Sequence, residues 1–382
     1  MRSFTEKTEI IHGIDAIQYL EGFKDKKVCI VTDPAMVKFK MVDYATAVFD
    51  KNQTAYKIFS EVEPDPSFEV VYQGLNHIFK TKPQVLVAIG GGSAIDTAKA
   101  IMYFCIKIKE ALIDSHEIPK PFFVVIPTTS GSGSEVTAYS VITDKEKNVK
   151  IPLVDPLMIP DVAILDPQFT QTVPPKVTAD TGLDVLTHCI EAYVATGASD
   201  FSDALAEKAV FKVFQYLLEA YRNGSNLEAR EGLHNASCMA GIAFTNAGLG
   251  INHSLAHSLG SHFKIPHGRS NAILLPYIIA FNSRGAEGRR AAERYARLAK
   301  HIGLPASTVE KGVLSLIEAI KILKQAMGVP ATIREAGVAA ADFNSALDQM
   351  AVMALADVCT GSNPKGVTQE AIKGIYLEAF GG

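Results

Sequence analysis

Three short runs of apolar, mostly β-branched residues alternate with stretches of helical period in the first half of the chain. They read VCIVT at Val28–Thr32, VLVAI at Val85–Ile89 and FFVVI at Phe122–Ile126. Strands that lack a polar face are buried on both sides, and such strands are typical of parallel sheets covered by helices. The first half of the chain therefore predicts an α/β domain with a parallel sheet.

The remaining periodicity divides the chain into two parts. Helices are predicted at about 35–50, 67–81 and 94–107, further strands at 55–59 and 162–166, and a hairpin of 138–144 and 149–153 turned at 144–148. Beyond Pro174-Pro175 the helical period dominates, including 200–221, 227–246, 271–282, 286–301 and 308–327. We expect an α/β domain over residues 1–180 and an all-helical domain over residues 181–382.

Charge and cysteine usage exclude several functional classes. The net charge of −4 offers no basic surface for nucleic acid. The five cysteines are odd in number and form no CxxC pair, which predicts reduced thiols. The N-terminus lacks the apolar core of a signal peptide, and no apolar run is long enough for a membrane span. We therefore expect a cytoplasmic protein without a nucleic-acid or membrane partner.

Histidines are concentrated in one stretch, NHSLAHSLGSHFKIPHG at 252–268. Four of the ten histidines of the chain, His253, His257, His262 and His267, fall within fifteen residues there. On a helix, His253 and His257 share a face, whereas His262 points to the opposite side. His267 follows a proline and precedes a glycine, so the chain is expected to turn there and to start a new helix.

An earlier stretch, GLDVLTHCIEAY at 182–193, places a carboxylate and an imidazole on adjacent helical turns, at Asp184 and His188. Two helices and a turn can bring Asp, His, His and His to one point, although spacing alone does not choose between His253 and His257. Three imidazoles and one carboxylate suit iron or zinc better than magnesium or calcium. Satisfied core histidines and a surface Asp–His pair are the alternatives for the separate stretches.

Glycines at the end of a predicted strand indicate a phosphate site. The segment GGGSAID at Gly90–Asp96 leads from a strand into a helix, whose first N–H groups attract an anion. It is neither GxGxxG nor a P-loop, and a tight turn without a ligand is the alternative. Asp33, at the end of the first predicted strand, is placed to accept ribose hydroxyls, which favours NAD over NADP; its alternative is a turn-forming Asp-Pro. The loop at 128–137 and Lys150 are further candidates for nucleotide contacts.

Four motifs in this order resemble the iron-dependent, or group III, alcohol dehydrogenases. They are GGGSAIDTAKA, PTTSGSGSEVT, GLDVLTHCIEAY and HSLAHSLGSHFKIPHG, and the resemblance extends to DVCTGSNPK at 357–365. The resemblance implies the dehydroquinate-synthase-like scaffold, a divalent metal, Fe²⁺ or Zn²⁺, and NAD(H). It implies oxidation of short primary alcohols or diols to aldehydes, and the reverse reaction, by hydride transfer.

The resemblance also assigns residues. It places the metal ligands at Asp184, His188, His253 and His267, and the substrate cleft between the domains near Phe244, His257 and Cys359. It places the nucleotide contacts at Asp33, Asp65, Gly91, Gly92, Ser93, Ala94, Ile95, Asp96, Thr128, Thr129, Thr137, Val141, Lys150 and Phe169, where relatives often have Leu at the last position.

From this constellation we hypothesise a Lewis-acid metal that acts on the alcohol oxygen and a proton relay through His257, for which a packing histidine is the alternative. The competing functions are a dehydroquinate-synthase-like lyase, whose metal site resembles Glu/His/His, and a non-catalytic metal-binding protein. The partner is a small alcohol or aldehyde that the sequence does not identify. We expect a homo-oligomer, a dimer or larger, and the resemblance also allows packaging in a bacterial microcompartment.

Overall fold

The computed structural model describes residues 3–112, 120–145 and 149–381. They form two compact units, one from Glu6 to Thr172 and one from Val173 onward, which also includes the described residues up to Thr5. The division at residue 180 stays a prediction, because the second unit of this structure begins at Val173. Among the described helices, none combines the length and apolarity that a membrane span requires.

The first unit is built on a six-stranded, wholly parallel sheet. Its strands are β1 (Glu9–His12), β2 (Lys27–Thr32), β3 (Ala55–Phe59), β4 (Val85–Gly90), β5 (Phe122–Pro127) and β8 (Val162–Leu165). Their spatial order is β1-β8-β5-β4-β2-β3, and β6 (Tyr139–Asp144) pairs with β7 (Val149–Val154) in a separate antiparallel sheet. The predicted hairpin is thus present, while part of its turn, at 146–148, lies outside the described residues.

Helices cover both faces of the six-stranded sheet. They are α1 (Pro34–Lys38), α2 (Met41–Lys51), α3 (Phe68–Thr81) and α4 (Gly92–Leu112). Successive residues of β2 enter different cores: Cys29 and Val31 pack with residues of α3 and α4, whereas Val28 and Ile30 pack with residues of α2. Burial on both faces explains why these strands carry no polar side, and the α/β class is confirmed.

One local prediction for this unit was wrong, and one strand was missed. The helix expected over 35–50 is interrupted between α1 and α2, where Lys40 adopts a left-handed conformation with φ of 59°. Strand β1 was not predicted, because it has only four residues, lies at the edge of the sheet and places two partly exposed isoleucines between the exposed Glu9 and His12. Edge strands have fewer buried neighbours, so their sequences carry a weaker signal.

The second unit is helical, as predicted. Its helices are α5 (Pro175–Val194), α6 (Asp200–Arg222), α7 (Leu227–Ala247), α8 (Ile251–Phe263), α9 (His267–Ser283), α10 (Arg289–His301), α11 (Val309–Ala326), α12 (Ala340–Ala356) and α13 (Gln369–Phe380). Two cores hold them together, one around α5, α6 and α7 and one around α8, α12 and α13. Helix α5 is buried on all sides over most of its length, so its polar residues face protein rather than water.

Candidate metal centre and nucleotide site

Helix α5 supplies two of the predicted ligands from its buried surface. Asp184 and His188 are one turn apart, and their exposed fractions are 6% and 4%. The helix can lie this deep because Gly182 faces α6, where a Cβ would lie 2.3 Å from a methyl carbon of Leu217. A buried carboxylate and imidazole are costly without partners, so the packing of α5 commits both to a polar cluster.

Helices α8 and α9 supply the other two. His253 lies in the first turn of α8, and His267 is the first residue of α9. Lys264, in a left-handed conformation, ends α8, and Pro266 immediately precedes α9, so the predicted helix–turn–helix is present. A Cβ on Gly268 would lie 2.1 Å from the carbonyl oxygen of Asp180, so only glycine lets α9 approach α5 this closely.

The four side chains converge. One ligand atom from each of Asp184, His188, His253 and His267 lies within 4.8 Å of the others. The Oδ1 atom of Asp184 is 3.5 Å from Nε2 of His267 and 3.8 Å from Nε2 of His253. The spacing of the sequence motifs is therefore compatible with one site, and the ligand role of these residues stays a prediction.

Asn271 shows that the acceptor atoms of the cluster face inward. Its Nδ2 lies 2.7 Å from Oδ1 of Asp184, 3.2 Å from Nε2 of His253 and 3.1 Å from Nε2 of His267. An amide group has two protons for these three acceptors, and a cation satisfies such a surplus better. Three nitrogen donors and one carboxylate are also the donor set that first-row divalent metals accept. The residues present fit a metal ion.

The pKa shifts in the cluster have the same cause. Burial lowers the pKa of His253 well below its usual value, and the neighbouring imidazoles lower it further. Burial also raises the pKa of Asp184, against the influence of His188 and the hydrogen bond from Asn271. Both shifts disfavour charge in a dry site, and a divalent cation reverses this preference for the carboxylate.

Glu191 contacts the ring nitrogen of His253 that lies opposite the cluster. Its carboxylate contacts Nδ1 of His253 through Oε2 and accepts the backbone N–H of Asn252 at 2.7 Å through Oε1. Burial raises the pKa of Glu191 to about 8. The form of this pair that binds a metal has the proton on Nδ1 of His253, which leaves the lone pair of Nε2 for the cluster.

Sequence reasoning missed Glu191 and Asn271. Glu191 is a charged residue in the otherwise apolar run that follows His188, and Asn271 lies one turn after His267. A polar residue on a buried helix face needs a hydrogen-bond partner, so the sequence could have indicated that Glu191 and Asn271 belong to a polar cluster. The partners themselves come from other helices and are not readable from the sequence.

His257 lies beside the cluster, in a second group. Its Nδ1 is 2.9 Å from Oδ2 of Asp357, and its ring stacks on that of His267 with centroids 5.3 Å apart. Burial opposes ionisation of Asp357, but the hydrogen bond and charge of His257 and the N–H of Cys359 lower the pKa of Asp357 to about 2. His262, as expected from its helical position, lies elsewhere and contacts the carbonyl oxygen of Ser258.

The predicted nucleotide residues of the first unit gather at the carboxyl ends of β2 and β4. Gly90 has a φ of 152°, and a Cβ there would lie 3.2 Å from Oδ2 of Asp33. Asp33 caps α1 by accepting the N–H groups of Ala35 and Met36 through Oδ1. A Cβ on Gly91 would meet the hydroxyl of Thr129 at 3.4 Å. The glycine turn, Asp33 and the start of the 128–137 loop are thus neighbours.

A buried lysine that sequence reasoning missed fastens this loop. The ammonium of Lys99 on α4 lies 2.6–3.1 Å from five oxygens of Ser134, Thr137 and Tyr139, which share its three protons. One turn earlier, Asp96 accepts the hydroxyl of Ser134 at 2.7 Å and the N–H of Val141 at 3.0 Å. The lysine followed the GGGSAID motif by three residues, but nothing in the sequence showed that it is buried.

The remaining predicted contacts differ in environment. Lys150 forms an ion pair of 2.5 Å with Asp65, and both side chains are exposed. Thr128 and Thr137 are buried beside the glycine turn and the loop. Phe169 is 1% exposed and packs against Tyr44, within the core that includes α2. Its role as a nucleotide contact stays a prediction and has the least support among these residues.

The chain is similar to known proteins over nearly its whole length. The model of the Fe-containing alcohol dehydrogenase family, C-terminal, matches residues 178–380, and the iron-containing alcohol dehydrogenase model matches residues 7–167. The NADPH-dependent butanol dehydrogenase of Clostridium saccharobutylicum is 42% identical over 98% of this chain and 97% of its own length. The 1-propanol dehydrogenase PduQ of Salmonella typhimurium is 42% identical over 99% of this chain and 100% of its own length. The iron-containing alcohol dehydrogenase structure of Thermococcus thioreducens has a TM-score of 0.90 at 35% identity, with both chains fully covered.

Proposed function

Because the chain belongs to the iron-containing alcohol dehydrogenase family, we propose that it interconverts short primary alcohols or diols with their aldehydes, using NAD(H). The observation that carries this proposal is the convergence of Asp184, His188, His253 and His267 on one point. Neither a dehydroquinate-synthase-like lyase nor a non-catalytic metal-binding protein is supported by the relatives, which are named as alcohol dehydrogenases.

Asp184, His188, His253 and His267 would hold the metal. The metal supplies a Lewis acid for the substrate oxygen, and the nicotinamide supplies the hydride acceptor or donor. Glu191 orients His253 by its contact with Nδ1, and Asn271 fixes the carboxylate of Asp184 by donating a hydrogen bond to Oδ1. Such supporting contacts hold the ligands in place before binding and reduce the ordering cost.

His257 would move the proton that the hydroxyl group loses on oxidation. Its side chain is 44% exposed, and the ionised carboxylate of Asp357 holds its Nδ1. A ring fixed at one nitrogen and open to solvent can accept a proton at the other nitrogen and release it to water. The stacking of His257 on His267 places this ring next to the predicted ligands.

We propose iron rather than zinc as the metal that supports turnover, in line with the family description. Zinc binds nitrogen ligands at least as tightly as ferrous iron, so metal content after purification does not identify the active metal. The test is an anaerobic titration of the metal-free protein with Fe²⁺ and with Zn²⁺, followed by aldehyde reduction. If zinc supports the higher turnover, the iron assignment is wrong.

We propose NAD(H) as the nucleotide, although one relative is named as NADPH-dependent. The carboxylate of Asp33 beside the glycine turn would repel a 2′-phosphate and accept ribose hydroxyls. Steady-state rates with NADH and NADPH test this, and a higher kcat/KM with NADPH contradicts it. Replacing Asp33 by Gly should narrow the preference for NADH, whereas Asp43→Gly, on exposed surface of α2, should leave it unchanged.

The alcohol itself is open among short linear alcohols and small diols. Relative rates with acetaldehyde, propanal, butanal, lactaldehyde and 3-hydroxypropanal rank the candidates. Rates below detection for the whole panel, with metal and nucleotide both bound, would contradict the proposed reaction. Homo-oligomerisation and a cytoplasmic or microcompartment location stay predictions, and sedimentation analysis tests the first of them.

A further inference from the structure

A cleft of about 660 Å³ lies at the carboxyl-terminal end of α11, away from the residues discussed so far. Its walls come from that end of α11, from the segment at 328–331 and from Pro276 and Tyr277 of α9. Tyr277 is ten residues along α9 from His267, which corresponds to about 15 Å of helix. None of the residues predicted to bind metal or nucleotide lines this cleft.

Lys324 is the unusual member of this lining. It is 3% exposed, and the described part of the structure gives its ammonium group no hydrogen bond and no ion pair. The ammonium nitrogen is not among the enclosed, unpartnered atoms of the described residues, so it opens into the cleft, where water or a ligand must accept its protons. By contrast, the fully buried Lys99 of the first unit has five oxygen atoms around its ammonium group.

The other charged residues of the cleft are already engaged. Lys321 forms an ion pair of 2.8 Å with Glu318 on the same helix. Glu335 accepts the backbone N–H of Ala331 at 2.8 Å and does not reach Lys324 within ion-pair distance. The charged residues that line the cleft are two lysines, Lys321 and Lys324, and one carboxylate, Glu335, so the lining carries more positive than negative charge.

We propose that this cleft binds a small oxyanion, a phosphate or a carboxylate, through the ammonium group of Lys324. The anion supplies the missing acceptor, and the cleft has room for a ligand of metabolite size. Gln325 and Tyr277 line the same cleft and carry further hydrogen-bond donors. This inference does not depend on the proposed dehydrogenase activity.

Binding should weaken at alkaline pH. The pKa of Lys324 is lowered to about 8, mainly by burial. The charge of Glu335 raises this pKa, and the charge of Lys321 lowers it further. Tyr277 faces the cleft from α9, and burial raises its pKa, so it stays a neutral donor over this range. Because only the ammonium form attracts an anion, affinity should fall as the pH rises above 8, and a bound anion should raise the pKa of Lys324.

The first test is residue-resolved labelling of the unaltered protein. The sample is the metal-loaded protein with saturating NADH, so that the nucleotide site is filled. It is acetylated with an N-hydroxysuccinimide ester at pH 7.5, about 0.5 below the pKa of Lys324. The modified peptides are quantified by mass spectrometry. Inorganic phosphate or propanoate, at ionic strength matched with NaCl, should slow acetylation of Lys324 at least about threefold relative to NaCl alone. The exposed Lys300 on α10 should be unaffected.

Protection by phosphate only or by propanoate only identifies the preferred oxyanion and supports the site. Equal acetylation of Lys324 in all three salts, or equal slowing at Lys300, would overturn it.

The second test measures thermal unfolding at pH 7 in the same salts. The stabilisation by phosphate should be smaller in Lys324→Met than in wild type and unchanged in Lys300→Met, which removes an exposed charge of α10 outside the cleft. An unchanged stabilisation in Lys324→Met overturns the proposal, and the labelling decides alone if that variant does not fold.

Discussion

Asp184 contributes the single carboxylate among the four predicted ligands, and its Oδ1 faces Nε2 of both His253 and His267. Asp184→Asn keeps the shape of the side chain and removes its charge. We expect metal affinity to fall at least about 100-fold, because a carboxylate ligand is lost. The measurement is metal per chain by elemental analysis after dialysis against buffered Fe²⁺.

The matched control for that variant is Asp200→Asn, an exposed position at the start of α6. It should retain its metal and its activity. Full metal occupancy in Asp184→Asn, with an intact circular dichroism spectrum, would remove this residue from the predicted ligand set.

His257 can be separated from the ligands by its kinetics. We expect His257→Asn to retain one metal per chain, while kcat falls about 100-fold. The part of the pH–rate profile that reports proton uptake by His257 should disappear. A small diffusible base such as imidazole should restore part of the rate. A variant that keeps its metal and an unchanged pH–rate profile would show that His257 only packs against His267.

At the scale of elements, α4 is joined to the 128–137 loop mainly through Lys99, with a further hydrogen bond between Asp96 and Ser134. Lys99→Met removes the three protons that oxygens of Ser134, Thr137 and Tyr139 share, and each buried acceptor left unsatisfied costs about 1–3 kcal/mol unless water enters. We expect the Kd for NADH, measured by fluorescence, to rise at least about tenfold, with metal content unchanged.

Lys107→Met on the same helix serves as its control, because Lys107 is exposed and pairs with Glu110. A merely structural role of Lys99 would lower the unfolding temperature without a change in NADH affinity. That result would show that the loop keeps its conformation without the lysine and that the nucleotide contacts are independent of it.

The contact between α5 and α9 depends on a single glycine. In Gly268→Ala, the added Cβ would lie 2.1 Å from the carbonyl oxygen of Asp180, so α9 must move away. We expect a loss of about 1–3 kcal/mol in the free energy of unfolding, typical of overpacking, and a reduced metal affinity because His267 moves with the helix. Chemical denaturation and metal titration measure the two effects.

Gly374→Ala on α13 provides the comparison, since a Cβ there has no atom within 4 Å. It should be neutral or stabilise the protein by up to about 1 kcal/mol, because alanine favours the helix. Equal stability and equal metal affinity in the two variants would mean that α9 does not depend on the close approach at Gly268.

For the molecule as a whole, the two units have separate hydrophobic cores and separate predicted ligands. All four predicted ligands belong to the second unit, so a bound metal should stabilise that unit by about 2.7 kcal/mol at a free concentration of 100 times Kd. We expect removal of the metal by a chelator to increase amide hydrogen exchange in α5, α8 and α9. The strands β2, β4 and β5 should remain protected.

NADH should produce the complementary pattern, with slower exchange at the start of α4 and in the 128–137 loop. Uniform loss of protection in both units on metal removal would contradict this picture, because it would show that the units unfold together. Exchange followed by peptide mass spectrometry distinguishes the two outcomes.

The sequence determined the elements that depend on local periodicity. Strands without polar residues, such as Val85–Ile89, indicated burial on both faces of the sheet. The spacing of four residues between Asp184 and His188 predicted that both lie on one face of a helix. The break at Pro266 was likewise visible, because proline prevents continuation of α8. These features involve residues within one or two turns of each other.

Tertiary packing decided the remainder. Spacing left His253 and His257 equivalent, and only the placement of α8 against α5 brought His253 to Asp184 and gave His257 to Asp357. Lys99 and Lys324 look like ordinary helix lysines in the sequence, yet the structure buries both and provides acceptors for Lys99 alone. A single polar residue has no period, so its environment is fixed by the distant segments that pack around it.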